Sequence, residues 1–214
     1  MTKQEMRTEA TKKAILQSAE QEFSEKGLYG CRVDEIARRA KVNKALLYRH
    51  FNSKEELYKE VLVRVYTRLG DLEEQVINLK TDYELKLRDL VQIYFQFLYD
   101  NPSFVRMVMW ENLNGAKSFK ERGVAETKNP ILHELGRIID EARLRSDVPE
   151  TIDSDQLILT LIACSFNYFS NMNTLNIIVG KDLMLAENRE KRIQATTEML
   201  LAYLKEREQK QTHA

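Results

Sequence analysis

The stretch Val33–Phe51, VDEIARRAKVNKALLYRHF, decides the fold. It packs two short helical patterns around a tight turn. Ile36, Ala37 and Ala40 fall at i, i+1 and i+4 on one face of a first helix. Lys41-Val42 makes the turn, and Asn43 suits the N-cap of the helix that follows. Leu47 and Phe51, four residues apart, give this second helix an inward stripe, while its other side carries Lys44, Tyr48 and Arg49. A slim apolar face opposite a cationic, hydroxyl-bearing one suits a helix that enters a duplex groove. That is the logic of a helix-turn-helix.

Two helices this short cannot bury their apolar faces alone, so the flanks must complete a small core. Upstream, Ala14, Ile15, Ala19 and Phe23 line one side of a helix expected to end near Gly27, a natural C′ residue. Downstream, Ser53-Lys54-Glu55-Glu56 matches the S-x-x-E capping box, and Leu57, Val61 and Val65 recur every fourth residue. In the order and spacing of these elements, residues 11–57 resemble the DNA-binding domain of the TetR (tetracycline-repressor) family of bacterial transcription regulators. That family usually has Thr at the cap position held here by Arg32, and often Gly at the turn position held by Lys41. Losing a Thr cap costs about 1 kcal/mol locally. Both replacements add positive charge close to where phosphates would lie.

The whole chain fits that frame. Its 214 residues suffice for one or two domains, and 43% hydrophobic with 31% charged residues fits a globular protein. Only 7 Gly and 3 Pro punctuate it, and no alternating Val/Ile/Thr run is bounded by hairpin turns, so the expected fold is all-α. Formal net charge is zero, yet residues 1–64 hold 14 Lys and Arg against 10 Asp and Glu, and the remainder 19 against 23. A basic amino-terminal module on an acidic body would orient toward a phosphate backbone, although a chance asymmetry of surface charge reads the same way. There is no apolar run near ~18 residues, so no membrane span is expected. The amino terminus, MTKQEMRTEATKK, lacks the apolar core of a secretory signal, which favours the cytoplasm. Cys31 and Cys164 have no metal-ligand spacing.

Beyond Ser53 a helix is expected to about Asn78, then another over Asp82–Tyr99 with an apolar stripe from Leu87 to Leu98. Asn101-Pro102-Ser103 breaks it. A short apolar helix over Phe104–Leu113 stops at Asn114-Gly115, and a longer one spans roughly Phe119–Leu144 with an interruption at Asn129-Pro130. Asp155–Phe169 is apolar on nearly every side, which marks a helix buried on more than one face. Residues 187–208 carry Ile193, Leu200 and Leu204 on one stripe. These last two helices either bury themselves within one chain or build a four-helix interface between two. The resemblance implies the second, with Leu161, Ile193, Leu200 and Leu204 at the seam of a homodimer.

Catalytic chemistry has little support. The histidines are His50, His133 and His213, and His133-Glu134 fails as a zinc-protease motif because Arg137 stands at the second histidine position. There is no Gly-rich phosphate cradle and no G-x-S-x-G. No enzyme, metal site or cofactor is expected.

The binding residues follow from the motif. Lys44, Ala45, Tyr48 and Arg49 lie on the second helix behind its Asn43 cap, where side chains reach bases or phosphates. Tyr48 either touches the groove or props the small core, and His50 either meets a phosphate or is solvated. Leu46 either touches a thymine methyl or packs on the first helix. Arg32 and Lys54, near helix starts, are phosphate candidates.

The resemblance also implies a small-molecule cavity in the carboxy-terminal domain, for which Tyr94, Phe104, Met107, Trp110, His133, Asn167 and Asn171 are candidates. Met and aromatic residues at helical spacing more often serve plain cores than ligand walls. Asn167 and Asn171, an i, i+4 pair on an apolar helix, either anchor a ligand or bond across a dimer seam.

The expectation is therefore an all-α homodimeric regulator with a helix-turn-helix domain over 1–53 and a larger helical effector-binding and dimerisation domain over 54–214. It would bind a pseudo-palindromic double-stranded operator, most readily as a repressor released by a small apolar or aromatic effector. The alternative is a DNA-binding protein of the same kind controlled by a protein partner.

Overall fold

The computed structural model describes residues 2–70, 72, 82–120, 130–145, 147–150 and 152–211, and side chains at 70, 130–133 and 206–211 lie outside that description. Among the described residues there is no strand and there are ten helices. They are α1 (Lys3–Gly30), α2 (Val33–Arg39), α3 (Lys44–His50), α4 (Lys54–Gly70), α5 (Tyr83–Asp100), α6 (Pro102–Leu113), α7 (Pro130–Leu144), α8 (Ser154–Ser170), α9 (Met172–Val179) and α10 (Ala186–Gln211). The chain divides into two compact units. One holds α1–α4 with α6, and the other holds α5 with α7–α10.

The first unit forms around the residues whose periodicity marks them as core. Ile15, Ala19 and Phe23 of α1, Ile36 and Ala37 of α2, Leu47 of α3 and Leu57, Val61 and Val65 of α4 are all buried. Burial of each large aliphatic or aromatic side chain contributes about 1.5–3 kcal/mol. The Phe23 and Tyr58 rings meet edge to face at 5.0 Å. Glu20 accepts hydrogen bonds from Arg68 at 2.6 Å and from Ser103 at 2.5 Å, so α1, α4 and α6 share one carboxylate.

The regular helix of α1 breaks at Gly27, as expected. Gly27 adopts φ 67, ψ 177, a kink after which one more turn runs to Gly30. Its backbone region is essentially reserved for glycine. The Trp110 indole lies so close that a Cβ at Gly27 would sit 2.8 Å from its ring carbons. Trp110 Nε1 donates to the Ser24 carbonyl at 3.2 Å, satisfying an acceptor near the kink.

Beyond α4 the breaks fall where Asp, Asn and Pro place them. Asp82 caps α5 by accepting from Leu85 N–H at 3.0 Å, and Pro102 takes the first position of α6, where its missing N–H costs nothing. Of the helix expected over roughly Phe119–Leu144, residues 121–129 lie outside the described residues. Phe119 lies in a turn, its N–H donating to buried Glu111, and the next described helix opens at Pro130. Asp153 caps α8 by accepting from Asp155 and Gln156 N–H. A short helix not expected from the sequence, α9, separates α8 from α10 and closes on left-handed Gly180 (φ 69).

Leu161, Leu200 and Leu204 are at most 1% exposed in the single chain, so they are core residues of this unit and not open to a second chain. Ile193 is half-buried. The exposed apolar positions of the same helices are Leu159 and Ala163 on α8 and Ala195, Met199 and Ala202 on α10. Lys86 donates to Glu141 at 2.6 Å, and Arg137 bridges Glu134 and Glu141 at 2.7 and 2.6 Å, tying α5 to α7. The Lys86 hydrogen bond holds the Glu141 carboxyl below its ordinary range. Among the described residues no helix is long and apolar enough to cross a membrane.

Candidate nucleic-acid interface

The interface is built from α2, its turn and α3. Arg32 stands at the N-cap of α2 with extended backbone and makes no side-chain cap bond, as expected of a residue without a short acceptor. The turn is a Schellman motif: Lys41 N–H donates to Arg38 O at 3.2 Å and Val42 N–H to Ala37 O at 3.0 Å. Lys41 takes the left-handed conformation, φ 56, that glycine occupies without strain. Asn43 then caps α3, its Oδ1 accepting from Leu46 N–H at 2.7 Å. Buried Glu22 of α1 holds the C-terminal end of α2 through Arg39 at 2.7 Å.

Leu47 is the one buried residue of α3, and Phe51 follows it into the core. With about 100° between successive residues, Ala45 and Arg49 then point directly away from the core. Both are exposed. Lys44 and Tyr48 fall on one flank of this crest, Leu46 and His50 on the other. The surface follows the same division. Arg32, Lys44, Tyr48 and Lys54 border one shallow groove, which Asp34 and Glu55 also line. Leu46 and His50 border a second, shared with Lys3, Arg7, Thr8 and Thr11 of α1.

Individual contacts refine the picture. Lys44 pairs with Asp34 at 3.0 Å across the turn, an exposed pair worth at most about 1 kcal/mol and so easily exchanged for a phosphate. Lys54 Nζ donates to the Cys31 carbonyl at 3.3 Å, which places it beside the start of α2. The Ser53 hydroxyl accepts from Glu56 N–H at 3.0 Å, forming one half of the expected capping box, while Glu56 pairs with Lys59. Cys31 is buried, and burial pushes its thiol up to about 11.

The candidate effector residues divide between the two units. Phe104, Met107 and Trp110 pack in the first, where Phe104 meets Tyr66 ring to ring at 5.2 Å and Trp110 seals the Gly27 kink. Tyr94, Asn167 and Asn171 belong to the second. Burial pushes the Tyr94 phenol up to about 12. Asn167 and Asn171 are exposed, with Asn171 Nδ2 donating to Asn167 Oδ1 at 2.7 Å. The His133 side chain lies outside the described residues. Sequence reasoning missed the part of α1 that borders the second groove, although Lys3 and Arg7 stand at i, i+4.

Two family models match the chain in tandem. Bacterial regulatory proteins, tetR family, covers residues 15–61, and Tetracyclin repressor-like, C-terminal domain, covers residues 84–200. The chain belongs to the TetR family. This TetR-family protein is a DNA-binding transcription regulator. The transcriptional repressor NicS of Pseudomonas putida is 28% identical to it over 174 residues, 81% of this chain and 82% of NicS. The transcriptional activator FasR of Mycolicibacterium smegmatis is 36% identical over 94 residues, 44% of this chain and 43% of FasR. The solved structure of the fatty acid degradation regulator FadR from Bacillus halodurans shares the fold, with a TM-score of 0.68 at 20% identity over 89% of this chain and 94% of that one.

Proposed function

We propose that the regulator is a homodimeric repressor in which α3 of each chain enters the major groove of a pseudo-palindromic operator. The observation that carries this reading is the order of side chains around α3. Arg49 and Ala45 form a crest that reaches bases, and Lys44, Tyr48 and His50 on its flanks meet the phosphates of the two strands bordering the groove. Leu46 supplies an apolar contact, while Arg32 and Lys54 add phosphate contacts near the first groove and Asn43 sets the entry angle of α3. Repression is favoured because the relative matched over most of both chains is a named repressor. Residues 1–53 do the reading, and 54–214 do the pairing and sensing.

The dimer forms through α8 and α10, using the exposed stripes Leu159-Ala163 and Ala195-Met199-Ala202. A small apolar or aromatic effector binds among the helices of the second unit, where the Phe95, Tyr168 and Phe169 rings cluster within 5.3–6.1 Å of one another. To release DNA it must favour the DNA-incompetent state, and a preference of about 1–3 kcal/mol changes operator affinity roughly 5–150-fold.

Selection of genomic fragments bound by the full chain, followed by a reporter driven from the selected site, tests the reading. The expected results are an inverted-repeat site and lower reporter output when the regulator is present. A site with no repeat, or rising output, would overturn the operator geometry or the sign.

A further inference from the structure

The amino-terminal third of α1 is a helix with nothing to bury. Its first buried residue is Ile15. Residues 3–10 are all exposed, so roughly 12 Å of helix at 1.5 Å per residue precedes the half-buried Thr11 and Lys12. Helices this short are marginal on their own. Yet this one opens with a full capping box, Thr2 accepting from Glu5 N–H at 3.2 Å and Glu5 accepting from Thr2 N–H at 2.7 Å.

Its faces are chemically distinct. Lys3, Arg7, Thr8 and Thr11 share the groove with Leu46 and His50 of α3. Glu5 and Glu9 line an adjoining depression that shares Gln4 and Thr8 with this groove. The Thr8 and Thr11 hydroxyls donate back to the Gln4 and Arg7 carbonyls at 3.0 and 2.9 Å, which leaves the two cations as the free charged groups of that groove. Neither Lys3 nor Arg7 has an ion-pair partner among the described residues, in contrast to Lys44, which is held by Asp34.

We infer that the projecting turn of α1 is a second DNA-binding element, in which Lys3 and Arg7 bind duplex phosphates just outside the bases read by α3, on the His50 flank. The inference rests on α3 being the reading helix. An Arg guanidinium and a Lys ammonium four residues apart on one helix face can meet successive phosphates without sequence preference. The extension thereby lengthens the footprint of each half-site and makes its outer part electrostatic.

The test measures log K against log salt on a selected operator for the wild-type chain, the Lys3→Ala/Arg7→Ala double variant and Arg49→Ala. Lys13→Ala, an exposed cation of α1 that does not line this groove, serves as the control. Each lost phosphate contact flattens the slope by about 0.9, so the double variant should lose about 1.8 per bound chain while Lys13→Ala loses nothing. On an operator trimmed to the bases beneath α3, wild type and double variant should converge. Unaltered far-UV circular dichroism verifies that the variants fold. An unchanged slope in the double variant, with Arg49→Ala still weakened, overturns the α1 element and leaves α3 as the reader. An equal loss in Lys13→Ala reduces the effect to net charge and overturns it too. Absence of wild-type binding to any duplex removes both readings together.

Discussion

Helices α3 and α9 are nearly the same length, seven and eight residues, and each buries a single side chain, Leu47 in one and Met172 in the other. Their outward faces are opposites. Helix α3 presents Arg49, Lys44 and Tyr48, whereas α9 presents Ile177 and Ile178 at 82% and 76% exposure. Each also adjoins a left-handed residue: the turn between α2 and α3 holds Lys41 at φ 56, while α9 ends on Gly180 at φ 69. A short helix hung on one core residue spends its remaining surface on something outside the unit. For α3 the charge and hydroxyls suit a polyanion. For α9 the exposed surface is aliphatic, so the two helices cannot serve the same kind of contact.

That comparison can be broken at several strengths. Leu47→Ala should destabilise the first unit by about 2–5 kcal/mol in urea unfolding, because α3 has no other buried anchor of its own. A loss well under 1 kcal/mol would mean that α3 is held by its surface contacts. The C′ positions should respond in opposite directions. Lys41→Gly relieves a left-handed side chain and should stabilise by about 1 kcal/mol, and Gly180→Ala should cost about as much, with no steric neighbour within 4 Å to confuse the result. Equal signs in the two thermal melts would show that factors other than backbone strain dominate there. Smallest of all, Ile177→Ser should change stability by no more than about 0.5 kcal/mol, as for any uncovered surface site. A larger loss would mean that the outer face of α9 is covered in solution.

Much of the first unit was legible because each of its signals is local. The Asn43 cap, the Leu47 and Phe51 spacing and the Ser53 cap act within one turn of helix and survive any tertiary context. The Gly27 kink is legible as a stop but not as a seat for Trp110, which is remote in sequence. Periodicity also names the apolar side of a helix without saying which chain covers it. On α8, apolar on nearly every side, that left Leu161 indistinguishable from Leu159, although one is core and the other is exposed. Helix α9 was missed because Ile177-Ile178-Val179 reads as β-branched and Asn171 both ends α8 and begins α9 without a side-chain cap bond. The charges of α1 enter the sequence reading only as part of the total for residues 1–64, so the shared face of Lys3 and Arg7 does not stand out there.

The central claim is that the crest of α3 reads base sequence while its flanks hold phosphates. It is tested most directly by measuring the affinity of wild type and Arg49→Ala for the selected operator and for a set of operators, each with one base pair changed. The account predicts that Arg49→Ala loses about 1–3 kcal/mol on the parent operator and becomes indifferent to the base at one position of each half-site, with discrimination kept elsewhere. A variant that keeps full discrimination at every position, whatever its overall affinity, would contradict it.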